Sequence, residues 1–225
     1  MSQNRSTAVM QRRTEPHDSL DFFPTPPWAT RALCEWLGTY EDIKAMTALD
    51  PACGAGDMVR PLAEYFQTAS GADVHDYGGG YPVADFLFGP PPAADWIITN
   101  PPFRLADQFI KQGLAGARHG VAVLVRTAFL EGIKRHAEIF SDSPPTDILQ
   151  FCERVPMVKG RVDKDASSAT AYCWCVWIKI AMRAAKVQPH RPNPPSFHWI
   201  SSCRKALERP DDYTRECANR EVEHV

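Results

Sequence analysis

Two short stretches of the 225-residue chain hold residue types that could do chemistry together: Asn100-Pro101-Pro102-Phe103 and Asp50-Pro51-Ala52-Cys53-Gly54-Ala55-Gly56. The first follows Asp95–Thr99, an apolar run that reads as a buried strand ending at Thr99. Proline fixes φ and biases the residue before it towards extended conformations, so Asn100 and Pro101 are held out of helix and Pro102 stiffens the same lip. The Asn100 side-chain oxygen and the Pro101 backbone oxygen can then point the same way. Two convergent acceptors suit an exocyclic NH2 group, and Phe103 offers a flat face on which a base could stack. Taken alone, the tetrapeptide also reads as a strand-terminating turn with Phe103 in the core, so the rest of the chain has to decide.

The second stretch follows Thr47–Asp50, a short strand, and precedes a helix carrying Met58, Val59, Leu62, Ala63, Tyr65 and Phe66. Strand, glycine-bearing turn and helix is the arrangement that binds nucleotide-like ligands at the carboxyl end of a parallel sheet. Gly54 and Gly56 let the backbone pass close to a ligand, and Asp50 can accept hydrogen bonds. The turn lacks the third glycine of the dinucleotide fingerprint and the Gly-Lys-Ser/Thr of a phosphate loop. Ala72–Asp76 reads as the next strand, with Asp76 at its end about 20 residues beyond the glycine turn, where an acid usually meets ribose hydroxyls. A flexible Gly78–Gly80 loop follows, and Asp85-Phe86-Leu87 closes the segment.

These residues need a frame. Thr25 or Pro26 can open a helix carrying Trp28, Leu33, Trp36 and Leu37, with Gly38 as its stop. Helices are expected at Leu105–Leu114 and Glu131–Phe140, and strands at Gly120–Val125, Asp147–Cys152 and Ala171–Ile178. Val155–Lys164 reads as a basic loop or hairpin arm. The partition is a flexible arm at 1–20, one α/β domain at 21–185 and a Pro-rich, charged tail at 186–225, with a helix near Ser201–Leu207. Cys173 and Cys175 share one face of their strand, with Trp174 and Trp177 on the other. They read as buried thiols, because Cys-x-Cys in a strand is a poor match to zinc-site spacing, and no metal is expected. Seven scattered cysteines, a polar N-terminus and the lack of a membrane-length apolar run point to a cytoplasmic protein with no membrane partner. The net charge of -2 neither advertises nor excludes nucleic-acid binding.

Asp50–Gly56 and Asn100–Phe103, in that order and 50 residues apart, together resemble the S-adenosylmethionine-dependent DNA adenine-N6 methyltransferases. Phe23-Pro24-Thr25-Pro26 resembles that family's N-terminal cofactor motif, and Asp85-Phe86-Leu87 its third. The short chain is similar to the compact solitary methyltransferases of phages and prophages. The resemblance implies a class I (Rossmann-like) α/β fold: a mostly parallel sheet with helices on both faces and a C-terminal antiparallel hairpin. It also implies S-adenosyl-L-methionine as cofactor. Phe23 and Thr25 would sit at its methionine end, and Asp50, Pro51, Cys53, Gly54 and Gly56 beneath it. Asp76 would hold the ribose, with Asp85 and Phe86 at the cofactor adenine. Asn100 and Pro101 would hold the target amine of a base flipped from DNA, double-stranded by expectation, with Phe103 stacked on it. Arg126, Lys159, Arg161 and Lys164 are the candidate nucleic-acid contacts, to phosphates that carry no sequence information. A further basic run, Lys179 to Arg191, reads as a solubilising surface. Rival readings are the same chemistry on RNA, cytosine N4 or a protein glutamine, and a non-catalytic DNA-binding relative.

Overall fold

The computed structural model describes residues 22–179 and 195–217. The expected arm at 1–20 lies outside the described residues, as do residues 180–194 and 218–225. One seven-stranded sheet has the order β2-β1-β3-β4-β6-β5-β7. The strands are β1 Thr47–Asp50, β2 Thr68–Gly71, β3 Ala94–Thr99, β4 Ala117–Arg126, β5 Asp147–Phe151, β6 Tyr172–Ile178 and β7 Ser196–Ile200. β1 pairs in parallel with β2 and β3, β3 with β4, and β5 with β7. Only β6 runs against its neighbours, β4 and β5, among the described strands. The mostly parallel sheet with a C-terminal antiparallel part is therefore as expected. Between β1 and β3 the strand order reverses, and the crevice at such carboxyl ends is where α/β sheets take their ligands.

Period-two alternation divides the sheet's side chains between two cores. Trp96, Ile98, Leu124, Trp174 and Val176 pack with Trp28, Leu33 and Leu37 of helix α1 (Pro27–Leu37). Ile97, Val121, Val123, Cys173, Cys175 and Trp177 pack with Phe109 and Ile110 of helix α3 (Ala106–Gly116). Trp177 thus shares the cysteine face rather than the face of Trp174, because three residues along a strand is an odd step. Gly120 stands where β4 passes the Trp96 ring, and any Cβ there would collide with the indole. The four tryptophans 28, 96, 174 and 177 are fully buried. At ~25 cal/mol per Å2 over 150–250 Å2, each contributes about 4–6 kcal/mol of transfer free energy.

Helix α1 begins as its sequence dictates, with Pro27 at the first helical position, and the Gly38 N–H closes it on the Cys34 carbonyl. Among its buried residues one is charged. The Arg31 guanidinium donates pairs of hydrogen bonds to Glu64 (2.9 and 2.9 Å) and to Asp212 (2.8 and 2.8 Å), and a fifth to the Leu207 carbonyl. These bonds fasten α1 to helix α5 (Arg204–Leu207) and the 3-10 segment Pro210–Cys217.

Several expectations need correction. The strand placed at Ala72–Asp76 lies at Thr68–Gly71, where Thr-Ala-Ser-Gly at a sheet edge offers little apolar signal. The helix after the glycine turn is only α2 (Val59–Leu62), flanked by turns. The region Glu131–Phe140 forms α4 (Ile133–Arg135) running into one π turn, His136–Phe140. The tail supplies β7 where no strand was expected, paired in register from Asp147↔Ser196 to Phe151↔Ile200. His198 on that strand meets the buried Asp147 carboxylate at 2.9 Å. Finally, Lys179 is not a solubilising surface residue: its ammonium donates to the carbonyls of Leu114 and Ala117, capping the end of α3.

Candidate active site

A cavity of about 300 Å3 opens at the carboxyl ends of β1 and β3. The glycine turn forms one wall through Asp50, Pro51, Cys53 and Gly54. Asn100, Pro101, Pro102 and Phe103 form the opposite lip. Phe23 and Thr25 close a third side, and Asp85 and Phe86 are also in the lining. Residues from four separate stretches of sequence therefore meet at one cavity. Two of the expected cofactor residues do not line it. Gly56 has φ +87° and packs under Tyr81, so it shapes the turn. Asp76 is exposed, and its carboxylate accepts the Gly78 N–H.

The acid that the wall presents instead is Asp73, buried just past the end of β2. Its Oδ2 accepts the Gly54 N–H at 2.8 Å and its Oδ1 the His75 N–H at 3.1 Å, which pins the glycine turn to the second strand. Asp73 escapes a sequence reading because the strand before it is four residues earlier than its composition suggests; with that strand placed, the acid after it stands out. Phe22, Asp57 and Tyr77 also line the cavity without having been singled out. Phe22 stacks on Tyr77 with ring centroids 4.4 Å apart, and its carbonyl accepts the Gly160 N–H from the basic loop. Gly54 holds a left-handed φ of +53°, and an added Cβ would strike the Phe22 ring.

The electrostatics differ from wall to lip. Asp50 is 1% exposed, and its burial pushes its carboxyl up to about 7, helped by Asp73 and Asp57. The Ala52 N–H, and the Thr99 hydroxyl although it makes no hydrogen bond of ordinary geometry, pull the other way. Asp57 is tied to Arg60 at 2.6 Å. Burial likewise pushes the Cys53 thiol up to about 12, which makes it an inert wall rather than a nucleophile. At the lip, the Asn100 amide donates from Nδ2 to the Phe23 carbonyl at 2.9 Å, which fixes the side chain and leaves Oδ1 as the acceptor. Oδ1 is buried with no hydrogen-bond partner, and the Thr25 hydroxyl is in the same condition. Unpartnered buried polar atoms cost about 1–3 kcal/mol each; among the described residues Trp28 Nε1 and the Thr30 and Thr99 hydroxyls are also unpartnered, and only Thr25 and Asn100 of the five line the cavity.

None of the nucleic-acid candidates lines the cavity. Arg126, at the end of β4, places its guanidinium carbon 4.1 Å from the Phe103 ring centroid. Val158 and Arg161 form an isolated antiparallel bridge around the turn at Lys159-Gly160, and the Gly160 N–H ties this loop to the Phe22 carbonyl. Arg161 pairs with Asp163 at 3.0 Å, and the Lys164 carbonyl accepts from Arg204.

No protein-family model matches the sequence, and no curated protein matches it. Solved structures do match the fold. The chain is similar to a Listeria monocytogenes protein assigned as a class I S-adenosylmethionine-dependent methyltransferase, with TM-score 0.58 and 17% identity over 91% of this chain and 72% of that one. It is also similar to a subunit from Vibrio vulnificus assigned as the modification subunit of a type I restriction enzyme, with TM-score 0.53 and 15% identity. That match covers 91% of this chain and 53% of the other, so the chain spans about half of the Vibrio subunit. A Pyrococcus horikoshii protein assigned as an RNA methyltransferase matches with TM-score 0.53 and 16% identity over 73% of this chain and 90% of that one. The fold is the class I, Rossmann-like, methyltransferase fold. Identities this low speak for the fold, and the chemistry has to be argued from the site.

Proposed function

We propose that the chain transfers a methyl group from S-adenosylmethionine to the exocyclic N6 amine of adenine in DNA. The observation that carries this reading is Asn100 Oδ1, a fixed, buried acceptor without a partner on the lip of the cavity that the glycine turn lines. The residues present fit the cofactor. Gly54 keeps the turn open to a close approach, the Thr25 hydroxyl lacks a partner, and the buried Asp50 carboxylate suits a ligand with positive charge. Phe23 and Thr25 would meet its methionine end, Asp73 rather than Asp76 its ribose, and Asp85 and Phe86 its adenine. When bound, S-adenosylmethionine supplies a methyl group already activated by its sulfonium.

The chain's own task lies on the amine, which is conjugated with its ring and weakly nucleophilic. Asn100 Oδ1 and the Pro101 carbonyl would accept its two N–H groups, which favours a pyramidal nitrogen with its lone pair free to react. That is catalysis by positioning and preorganised dipoles. Phe103 would support the flipped base, and Lys159, Arg161 and Lys164 would bind phosphates. An Asn-Pro-Pro-Phe lip selects a planar NH2 group and not the polymer that carries it. The test is therefore transfer of labelled methyl to unmethylated genomic DNA, RNA and bulk protein in parallel, with the product identified by mass spectrometry. N6-methyladenine in DNA is the expected product. Label confined to RNA or protein would overturn the substrate, and no label with cofactor binding intact would overturn the activity.

A further inference from the structure

Two arginines in the described structure lie over phenylalanine rings, and they are held very differently. Arg135 sits 3.9 Å from the Phe129 centroid and is also bound by Asp107 and by the carbonyls of Phe129 and Glu131. Arg126 sits 4.1 Å from the Phe103 centroid on an exposed side chain. Among the described residues its guanidinium has no ion pair or hydrogen bond to add to the ring contact. The Phe103 ring is also approached by Phe23, tilted at 40° with centroids 5.8 Å apart. A planar guanidinium thus lies on Phe103, a ring that lines the cavity with Asn100, while Arg126 itself is outside that lining.

We propose that Arg126 is a place-holder for the target base: it covers the face of Phe103 until the base arrives, then leaves the ring for the nucleic-acid backbone. This rests on the reading of the site as one for a flipped base. The magnitudes allow the exchange. An exposed cation–π contact is worth about two- to fivefold in an equilibrium constant, and a base stacked on an aromatic ring about five- to 150-fold. The guanidinium that departs gains a phosphate, so nothing charged is stranded. Covering the ring in the meantime keeps an apolar face at the mouth of the site from water and from unselected flat ligands. Arg135, with three hydrogen bonds to surrender, cannot act in this way; its contact is part of the fold.

The experiment compares two ligands on the full chain and on Arg126→Ala and Arg126→Lys. The first ligand is 2′-deoxyadenosine, which has a base and no phosphate, measured by calorimetry with S-adenosylhomocysteine present. The second is genomic DNA, measured as KM for methyl transfer. The expected result is opposite signs. Arg126→Ala binds deoxyadenosine up to about fivefold more tightly, since the ring contact of about 1 kcal/mol no longer competes. The same variant raises KM for DNA severalfold. Arg126→Lys, whose compact ammonium stacks poorly but still pairs with phosphate, tightens deoxyadenosine and restores most of the KM for DNA. Both ligands moving the same way, or deoxyadenosine binding no more tightly to Arg126→Ala, overturns the place-holder while leaving the activity intact. A wild-type chain that transfers no methyl to DNA overturns the proposed function itself.

Discussion

The cavity has two ends built to opposite specifications. At the glycine turn, Asp50, Asp57 and Asp73 are buried carboxylates around backbone that only glycine tolerates. At the lip, a neutral amide, prolines and an aromatic ring lie near exposed cations. The first end suits a small ligand carrying positive charge; the second suits a flat neutral group attached to a polyanion. A bisubstrate site gains from such a division. Each ligand is repelled from the other's end, and a change at one end should leave binding at the other largely intact.

The sharpest way to break the comparison is Asn100→Ala. Turnover should fall by roughly 100- to 1000-fold, the usual cost of losing one preorganised polar partner of the reacting group, while cofactor affinity stays within about twofold. Equal loss of both would erase the distinction between the ends. The next test uses pH. Asp50 has its carboxyl raised to about 7 in the folded chain, against about 4 when unfolded. Between those values the folded state holds a proton that the unfolded state has lost. This group's contribution to stability therefore declines as pH rises from about 4 to 7 and is constant above that. A cationic ligand favours the charged carboxylate, so S-adenosylmethionine should bind about tenfold more tightly at pH 8 than at pH 6 and release a proton at the lower pH. Calorimetry in buffers of different ionisation enthalpy measures this, and Asp50→Asn should flatten the profile.

A smaller effect is expected of Gly54→Ala, which places a Cβ at a left-handed φ and against the Phe22 ring. It should cost about 1 kcal/mol of stability in chemical denaturation and weaken the cofactor about fivefold, with little change in DNA binding. Smallest of all, Lys159→Ala should raise KM for DNA two- to threefold at low salt. It should also reduce the salt slope by about one, with cofactor affinity unmoved. An unchanged slope would remove the basic loop from the proposed DNA-binding face.

What was legible in the sequence is what covalent geometry dictates locally. Proline and glycine restrict or free the backbone wherever they stand, so Asn100–Phe103 and Asp50–Gly56 announced a lip and a turn without tertiary context. Apolar strands such as Tyr172–Ile178 announced themselves too. The misses share a cause, which is dependence on distant partners. β2 is polar and exists because it pairs with β1, and β7 exists because it pairs with β5; misplacing β2 moved the acid from Asp73 to Asp76. Phe22 gains its place from Tyr77 and from Gly160 on the basic loop. The stacking of Arg126 on Phe103 joins residues on two different strand ends, which neither segment discloses alone.

The Arg31 clamp sets a limit on trimming or re-engineering the carboxyl end. Arg31 is 3% exposed, and its guanidinium takes one of its two carboxylates from Asp212 and a carbonyl from Leu207, both more than 170 positions away in sequence. A chain shortened ahead of Asp212 would keep the arginine and lose half of what neutralises it, a fault of about 3 kcal/mol placed in the helix that follows Phe23 and Thr25. Affinity tags and fusion partners should therefore be joined beyond this anchor. A variant that lacks it would report on helix α1 before it reported on anything the tail does for itself.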